Sequence, residues 1–372
     1  MRFRVSRASL FREMNLLQGV VEKKTTIPVL SSVLVETISE SLVSLVATDL
    51  DVSLQTECAA EVSEKGSVVL QARRLFDMVR YLPDAEIDFA KEANDWTKIT
   101  CGASEFRLAG QAKEHFPATP TPGAAEMAIP SAALQNLISR TAYAITQEES
   151  RYALSGSLLA FSEGKLRMVA TDGHRLALAD CQVADTPAIE KDQLRVIIPK
   201  KALTELLKLT AGAEESIEFS TDTNHLYFKQ GQRLLTSRML AGQFPNYDLE
   251  LPKGNDKVVT LNTEKIGQAV RRAALMADER SRGIKFELGE GRLNISSQSA
   301  DVGESREALA IDYSGDGLTI GFNAQYLLDF LGVVATDEII LELKDEQSPA
   351  LMRPSGEEGY DYKYVVMPMR LL

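Results

Sequence analysis

The chain repeats itself three times, and that periodicity constrains its fold more than any other feature. Segments 3–21, 127–145 and 259–276 share one form: a short alternating strand, a polar stop and an amphipathic helix. In the first, Leu10, Met14, Leu17 and Val21 fall on one helical face. Leu134 and Ile266 take the place of Leu10, at offsets of 124 and 132 residues. A second strand-to-helix junction also occurs three times. Aligning it on Gln71, Pro199 and Asn323 gives offsets of 128 and 124. Val46-Ala47-Thr48-Asp49-Leu50 returns 123 residues later as Val169-Ala170-Thr171-Asp172-Gly173, and Phe116-Pro117 returns 128 residues later as Phe244-Pro245. A chain of 372 residues is therefore three units of 124.

Between the predicted helices lie short alternating runs at 42–46, 165–169 and 292–296, the pattern of half-buried antiparallel strands. Each unit then holds two helices and roughly eight strands, an α+β domain with its helices on one face of an antiparallel sheet. Proline-rich 116–123 and Leu251-Pro252-Lys253-Gly254 fall at unit ends. They set expected domain boundaries at 1–124, 125–254 and 255–372.

Composition bounds the function. Three widely spaced cysteines, Cys58, Cys101 and Cys181, have neither metal-ligand nor redox spacing, which suits a reducing cytoplasm. Three histidines make a multi-histidine metal site improbable, so no metal or cofactor is expected. The first ten residues lack a continuous apolar core and are no secretory signal. No run of 18 apolar residues offers a membrane span.

The net charge of −12 argues, taken alone, against nucleic acid. Its distribution argues the other way. The predicted helices at 6–17, 72–82, 130–145, 199–209, 262–276 and 323–334 carry a net +7, leaving −19 on the rest. Glu and Lys are equally good helix formers, so propensity does not explain the scarcity of Glu there. Helices gathered on one side would give a basic face in an acidic body, suited to salt-sensitive, sequence-blind phosphate contact.

The most tempting chemical cluster is Thr171-Asp172-Gly173-His174-Arg175. Asp172 and His174 could serve as an acid–base pair, but no nucleophile elbow, phosphate loop or metalloprotease signature accompanies them. The first unit carries Thr48-Asp49-Leu50-Asp51 at the same place, so the Thr-Asp pair reads as a turn in which a side-chain oxygen holds a backbone donor. No catalytic residue is expected. The terminal Tyr364–Leu372 segment is apolar, with Met367 and Met369 flanking Pro368. Flexible methionines at a surface suit a site that accepts partner peptides.

Ala170-Thr171-Asp172-Gly173-His174-Arg175-Leu176-Ala177, Gly242-Gln243-Phe244-Pro245-Asn246-Tyr247 and Val365-Val366-Met367-Pro368-Met369-Arg370-Leu371 resemble the bacterial DNA polymerase III beta subunits, the beta sliding clamps. Thr26-Ile27-Pro28-Val29-Leu30 and Ala47-Thr48-Asp49-Leu50 extend the resemblance through the first unit. It implies the DNA clamp fold, with three similar domains per chain and a ring formed by a head-to-tail homodimer. It implies encirclement of double-stranded DNA and tethering of the replicative polymerase catalytic subunit, without catalysis. A clamp loader and other proteins bearing clamp-binding motifs are further implied partners.

Carried over by position, the resemblance implies a partner-peptide pocket at Arg151, Leu154, Thr171, Gly173, His174, Arg175, Leu176, Pro245, Tyr326, Val365, Met367, Pro368, Met369, Arg370 and Leu371. For DNA it implies Lys24, Arg73 and Tyr152, with Lys200 and Lys201 as inner-helix contacts. For the subunit interface it implies Arg74 and Phe106 against Leu275, Met276 and Glu304. Leu249, Glu250, Glu148 and Ala153 depart from residues known in relatives. A repeat-built peptide adaptor that never encircles DNA is the alternative reading.

Overall fold

The computed structural model describes the chain except residues 23, 24, 149, 163, 184–193, 358, 371 and 372. The first repeat runs β1 (Arg2–Ser6), α1 (Arg7–Leu17), β2 (Ser32–Thr37), β3 (Leu42–Thr48), β4 (Val52–Glu64), β5 (Ser67–Gln71), α2 (Ala72–Tyr81), β6 (Glu86–Lys91), β7 (Thr97–Cys101), β8 (Ser104–Leu108) and β9 (Gly110–Gln111). The second runs β10 (Met127–Pro130), α3 (Ser131–Thr141), β11 (Gly156–Ser162), β12 (Lys165–Thr171), β13 (Arg175–Gln182), β14 (Leu194–Pro199), α4 (Lys200–Thr210), β15 (Ser216–Thr221), β16 (His225–Gln230) and β17 (Arg233–Arg238). The third runs β18 (Lys257–Asn262), α5 (Thr263–Ala274), β19 (Gly283–Gly289), β20 (Arg292–Ser299), β21 (Gly303–Ala310), β22 (Leu318–Asn323), α6 (Ala324–Leu331), β23 (Glu338–Leu343), β24 (Ala350–Pro354) and β25 (Tyr360–Val366). All pairings are antiparallel, and each repeat supplies two helices.

The polar stops of the sequence are helix caps. Ser6 Oγ accepts from the Ser9 amide at 3.2 Å, and Asn262 Oδ1 from the Lys265 amide at 3.0 Å. Each satisfies an amide that the first helical turn leaves without a partner.

Compactness divides the chain differently from the repeat. One unit holds residues 1–135 and 201–239; the other holds the described residues of 136–183, 194–200 and 240–370. The second repeat is cut because its strands join two different sheets. In the first unit β10, β15, β16 and β17 continue the sheet of the first repeat, with β17 paired to β4. In the second unit β11 to β14 continue into β25, β24, β23 and β18 of the third repeat, through β13 paired to β25.

In the first unit α1 packs on β1, β3 and β4, with Phe11 stacked on Phe76 of α2 at 5.3 Å. The buried Glu13 carboxylate accepts two bonds from Arg233 on β17, at 2.7 and 2.9 Å, and one from Arg12 at 3.0 Å. A buried carboxylate is tolerable only when so paired. Glu205 of α4 lies directly over Gly19, where a Cβ would collide with its carboxylate, and Lys208 neutralises it at 2.8 Å.

The repeated Phe-Pro segments prove to be plugs. Phe116 packs on Leu34, Val46 and Val69. Phe244 packs in a cluster with Leu158, Val169 and Ile197, which hold the same registers in their own sheet. In the third repeat that register is occupied by Lys285, Ser296 and Gly321. The third repeat has no Phe-Pro sequence, and its face is polar there. Where no plug covers a sheet face, apolar residues would be left in water.

All three cysteines are buried and free. Burial, reinforced by Glu13, pushes the Cys58 thiol up to about 12, and burial with Asp180 pushes Cys181 up to about 11. Both shifts suppress the thiolate, the reactive form, until pH rises toward those values. The native chain at pH 8 should therefore resist iodoacetamide for an hour, while the urea-unfolded chain takes up three equivalents by mass spectrometry. Rapid native alkylation of Cys58 or Cys181 would refute this account of their burial.

Candidate functional site

In the second unit the chain turns from β12 into β13 through Thr171–Arg175. Thr171 Oγ1 donates to the Arg175 carbonyl at 2.6 Å and accepts from the Gly173 amide at 3.1 Å. Asp172 Oδ1 accepts from the amides of His174 and Arg175 at 2.9 and 3.0 Å. Thr48 and Asp49 make the same four bonds between β3 and β4. The shared Thr-Asp sequence thus encodes a turn. The Asp172 carboxylate is engaged by amides and Arg175, so the acid–base pair with His174 is set aside.

Gly173 is required twice over. Its φ is 86°, and a Cβ there would lie 2.7 Å from Arg151 Nη1. That nitrogen donates to the Asp172 carbonyl at 2.8 Å, so Arg151 lies across the turn while its Nε meets Glu148 at 3.0 Å. Leu50, at the same place in the first repeat, adopts a φ of 82° with a side chain in solvent.

Arg175 anchors the turn from beneath. Its guanidinium donates to Asp172 at 3.0 Å, to Asp329 of α6 at 2.5 Å and to the Tyr143 carbonyl at 2.8 Å, and lies over the Tyr326 ring at 4.4 Å. Burial opposes the charge, but the surrounding tyrosine and carboxylate groups outweigh it and raise the pKa above the usual arginine value. Tyr364 donates to the Tyr326 carbonyl at 2.9 Å, tying α6 to β25.

Beside the turn lies an apolar cluster. Leu158, Val169, Leu176, Leu178, Ile197, Phe244, Tyr247 and Val365 are its buried members, with Leu154, Leu240, Leu251 and Leu351 half-buried against them. Leu176 and Val365 are direct cross-strand neighbours. The Met367 amide donates to the His174 carbonyl at 2.9 Å, and the Met369 amide to the Gly321 carbonyl at 2.8 Å, so the segment after β25 is tied down at both residues.

The structure therefore links Arg151, Leu154, Thr171, Gly173, His174, Arg175, Leu176, Tyr326, Val365 and Met367 through direct contacts. Pro245 is exposed, held in place by its buried neighbours Phe244 and Tyr247. Pro368 and Met369 are half-buried, Arg370 is exposed, and Leu371 lies outside the described residues. Sequence reading missed Tyr143, Asp329, Leu240 and Leu251. A signal for Asp329 existed, since it is the lone charge on the sixth predicted helix.

The basic candidates divide. Arg73 projects from α2 with 78% of its side chain exposed and Asp77 at 3.7 Å; Tyr152 and Lys200 are also exposed. Lys201 is different: its ammonium meets Asp49, Glu22 at 3.4 Å and the Val20 carbonyl at 3.1 Å. Those partners lie in the first unit and offset its charge, while about a third of the side chain stays exposed. Arg140, counted with the basic helices, is likewise buried against Glu357 and stacked over Tyr360 at 4.4 Å. Lys24 lies outside the described residues. Of the interface candidates, Arg74, Phe106, Leu275 and Glu304 are exposed and Met276 is half-buried.

Three α+β domains with sheets joined edge to edge, and an apolar cluster beside the Thr171–Arg175 turn, define a tandem-domain scaffold of the clamp type. The chain belongs to the DNA polymerase III beta subunit family. The family's N-terminal domain matches residues 1–120, its central domain 128–246 and its C-terminal domain 250–370. A beta sliding clamp of Pseudomonas putida is 38% identical over the full length of both chains. The crystal structure of the DNA polymerase III subunit beta from Pseudomonas aeruginosa superposes with a TM-score of 0.93 at 36% identity, and Caulobacter crescentus pol III beta with 0.92 at 34%, each covering both chains completely. The chain is thus a DNA sliding clamp by family, and the adaptor alternative falls away. No helix among the described residues is long and apolar enough to cross a membrane.

Removing the Arg175 guanidinium leaves Asp172 and Asp329 facing a void. Arg175→Ala should destabilise the second unit by about 3 kcal/mol and speed amide exchange at Gly173–Arg175. Exchange at wild-type rates would show that the turn does not depend on Arg175.

Proposed function

We propose that two copies of this chain close head to tail into a ring around duplex DNA and hold the replicative polymerase on its template, with no catalytic step of their own. The domains divide at 1–124, 125–254 and 255–372, and the ring works in the cytoplasm. The groove around Leu176, Val365 and Met367 takes the apolar anchor of a polymerase or clamp-loader segment, with Arg151, His174 and Arg370 at its rim.

One observation carries the ring closure. Strands β8, β17 and β25 are equivalent within their repeats, as are β4, β13 and β21. Inside the chain β17 pairs with β4 and β25 with β13, leaving β8 and β21 as open edges of their sheets. An unpaired edge is a template for another strand. A heterologous pairing that closes by rotation gives a ring.

The register can be carried over as well. Leu235 lies opposite Leu54, and Tyr364 opposite Ala177. The equivalent positions set Phe106 of one copy opposite Ser305 of the next. Arg107 then faces Glu304, and Glu105 faces Arg306, so both flanking pairs are complementary. Leu275, 70% exposed, and Arg74 are the apolar and basic supplements to this edge.

Light scattering at micromolar concentration should give the mass of two chains. Arg107→Glu or Glu304→Arg alone should shift it toward one chain, and the two together should restore the dimer. A double variant as monomeric as the singles would refute this register. The loaded ring should stay on nicked circular DNA and run off a linear end, and Arg73→Glu should shorten retention and reduce its salt dependence. Equal retention on both DNA forms would refute encirclement.

A further inference from the structure

Sulfur in this chain is almost entirely hidden. The three cysteines are buried, and the burial that raises Cys58 and Cys181 keeps them as unreactive thiols. Of ten methionines, Met1, Met14, Met127, Met168 and Met352 are buried, while Met78, Met239, Met276 and Met369 are partly covered. Met367 alone is exposed, at 39%.

Met367 also lies beside the proposed partner site. It follows Val365 of the apolar cluster by two residues, and its amide is bonded to the carbonyl of His174. The Met369 amide is bonded in turn to Gly321. The backbone is thus held on both sides of Pro368, which keeps Met367 beside the turn. A thioether is a soft apolar contact. A sulfoxide is a polar acceptor that an apolar peptide anchor cannot satisfy.

We infer that Met367 is an oxidation site through which peroxide lowers the groove's affinity for partner peptides, reversibly. In the reaction the thioether sulfur attacks one peroxide oxygen and the O–O bond breaks. The sulfur gains S=O and loses two electrons, and the other oxygen leaves as water. Restoration needs a thiol-driven methionine sulfoxide reductase, one for each sulfoxide epimer. The inference rests on the groove being the partner-peptide site.

The test treats the full-length chain with limiting hydrogen peroxide and maps oxygen incorporation by peptide mass spectrometry. In parallel, calorimetry measures binding of a synthetic peptide copying the C-terminal tail of the cognate polymerase. The first oxygen should appear on Met367, affinity should fall about tenfold, and treatment with both reductases should restore it. Met367→Leu, compared with its own untreated sample, should show no loss on peroxide treatment. Met78→Leu should lose affinity as the wild-type chain does.

First oxidation elsewhere, unchanged affinity with Met367 fully oxidised, or a loss that persists in Met367→Leu would each overturn the inference. If the untreated chain does not bind the peptide, the groove reading falls and this inference with it. Binding that ignores the sulfoxide overturns the inference alone.

Discussion

A β-strand edge must find backbone partners, and the rest of this molecule follows from how that demand is met. The chain pairs four strand edges by joining neighbouring repeats, β17 to β4 and β25 to β13, and leaves the equivalent edges of β8 and β21 open. Both joints are secured by ion pairs. At the first, Glu13 binds Arg233 and Lys201 binds Asp49; at the second, Arg175 binds Asp329 and Arg140 binds Glu357. The second joint pairs seven residues of β25, against four on β17 at the first.

The groove is a consequence of the same arrangement. Carrying a sheet across a joint exposes the outer face of the joined strands, and in the first two repeats Phe116 or Phe244 covers part of it. What differs is the floor at the joint. Position for position, Leu176 and Val365 of the second joint correspond to Ser53 and Thr236 of the first, which are also direct neighbours. Apolar area is the main source of affinity for an extended segment. The first joint has replaced it with hydroxyls. One repeat architecture therefore presents an apolar pair at the second joint and a hydroxyl pair at the first, and side chains at two register positions make the difference.

The repeat and the turns were legible in the sequence because both are local signals repeated at a fixed spacing. The strand–cap–helix segments and the Thr-Asp pairs each specify a few residues of backbone and owe little to distant contacts. The Phe-Pro segments were visible as boundary markers, but their role as plugs depends on sheet registers that no spacing displays. Charge was the least legible property. Arg140 meets Glu357 at a separation of 217 residues and Lys201 meets Asp49 at 152, so a count along the helices treats both as free cations. Asp329 stood out as a lone acid on its helix, yet only the fold shows that it faces Arg175. Ten of the fifteen residues named from the resemblance are linked by direct contacts, while their support from Tyr143 and Asp329 required the structure.

These internal pairs change what a helix charge of +7 means for DNA. A cation beside its carboxylate presents a dipole, whose field dies away faster than that of a single charge. Arg140, Lys201 and Lys208 are all held this way, by Glu357, Asp49 and Glu205. Arg74, Arg80, Lys265 and Arg271 are exposed on the helices, and Arg73 is exposed beside Asp77. Affinity for the backbone scales with the number of phosphates neutralised, and a small number gives weak, rapidly exchanging contacts. For a protein that must move along DNA, weak contact is no defect provided departure is prevented by closure of the ring. Residence would then be governed by the β8–β21 edge and mobility by the thinned basic face, so the two properties can be tuned on separate residues.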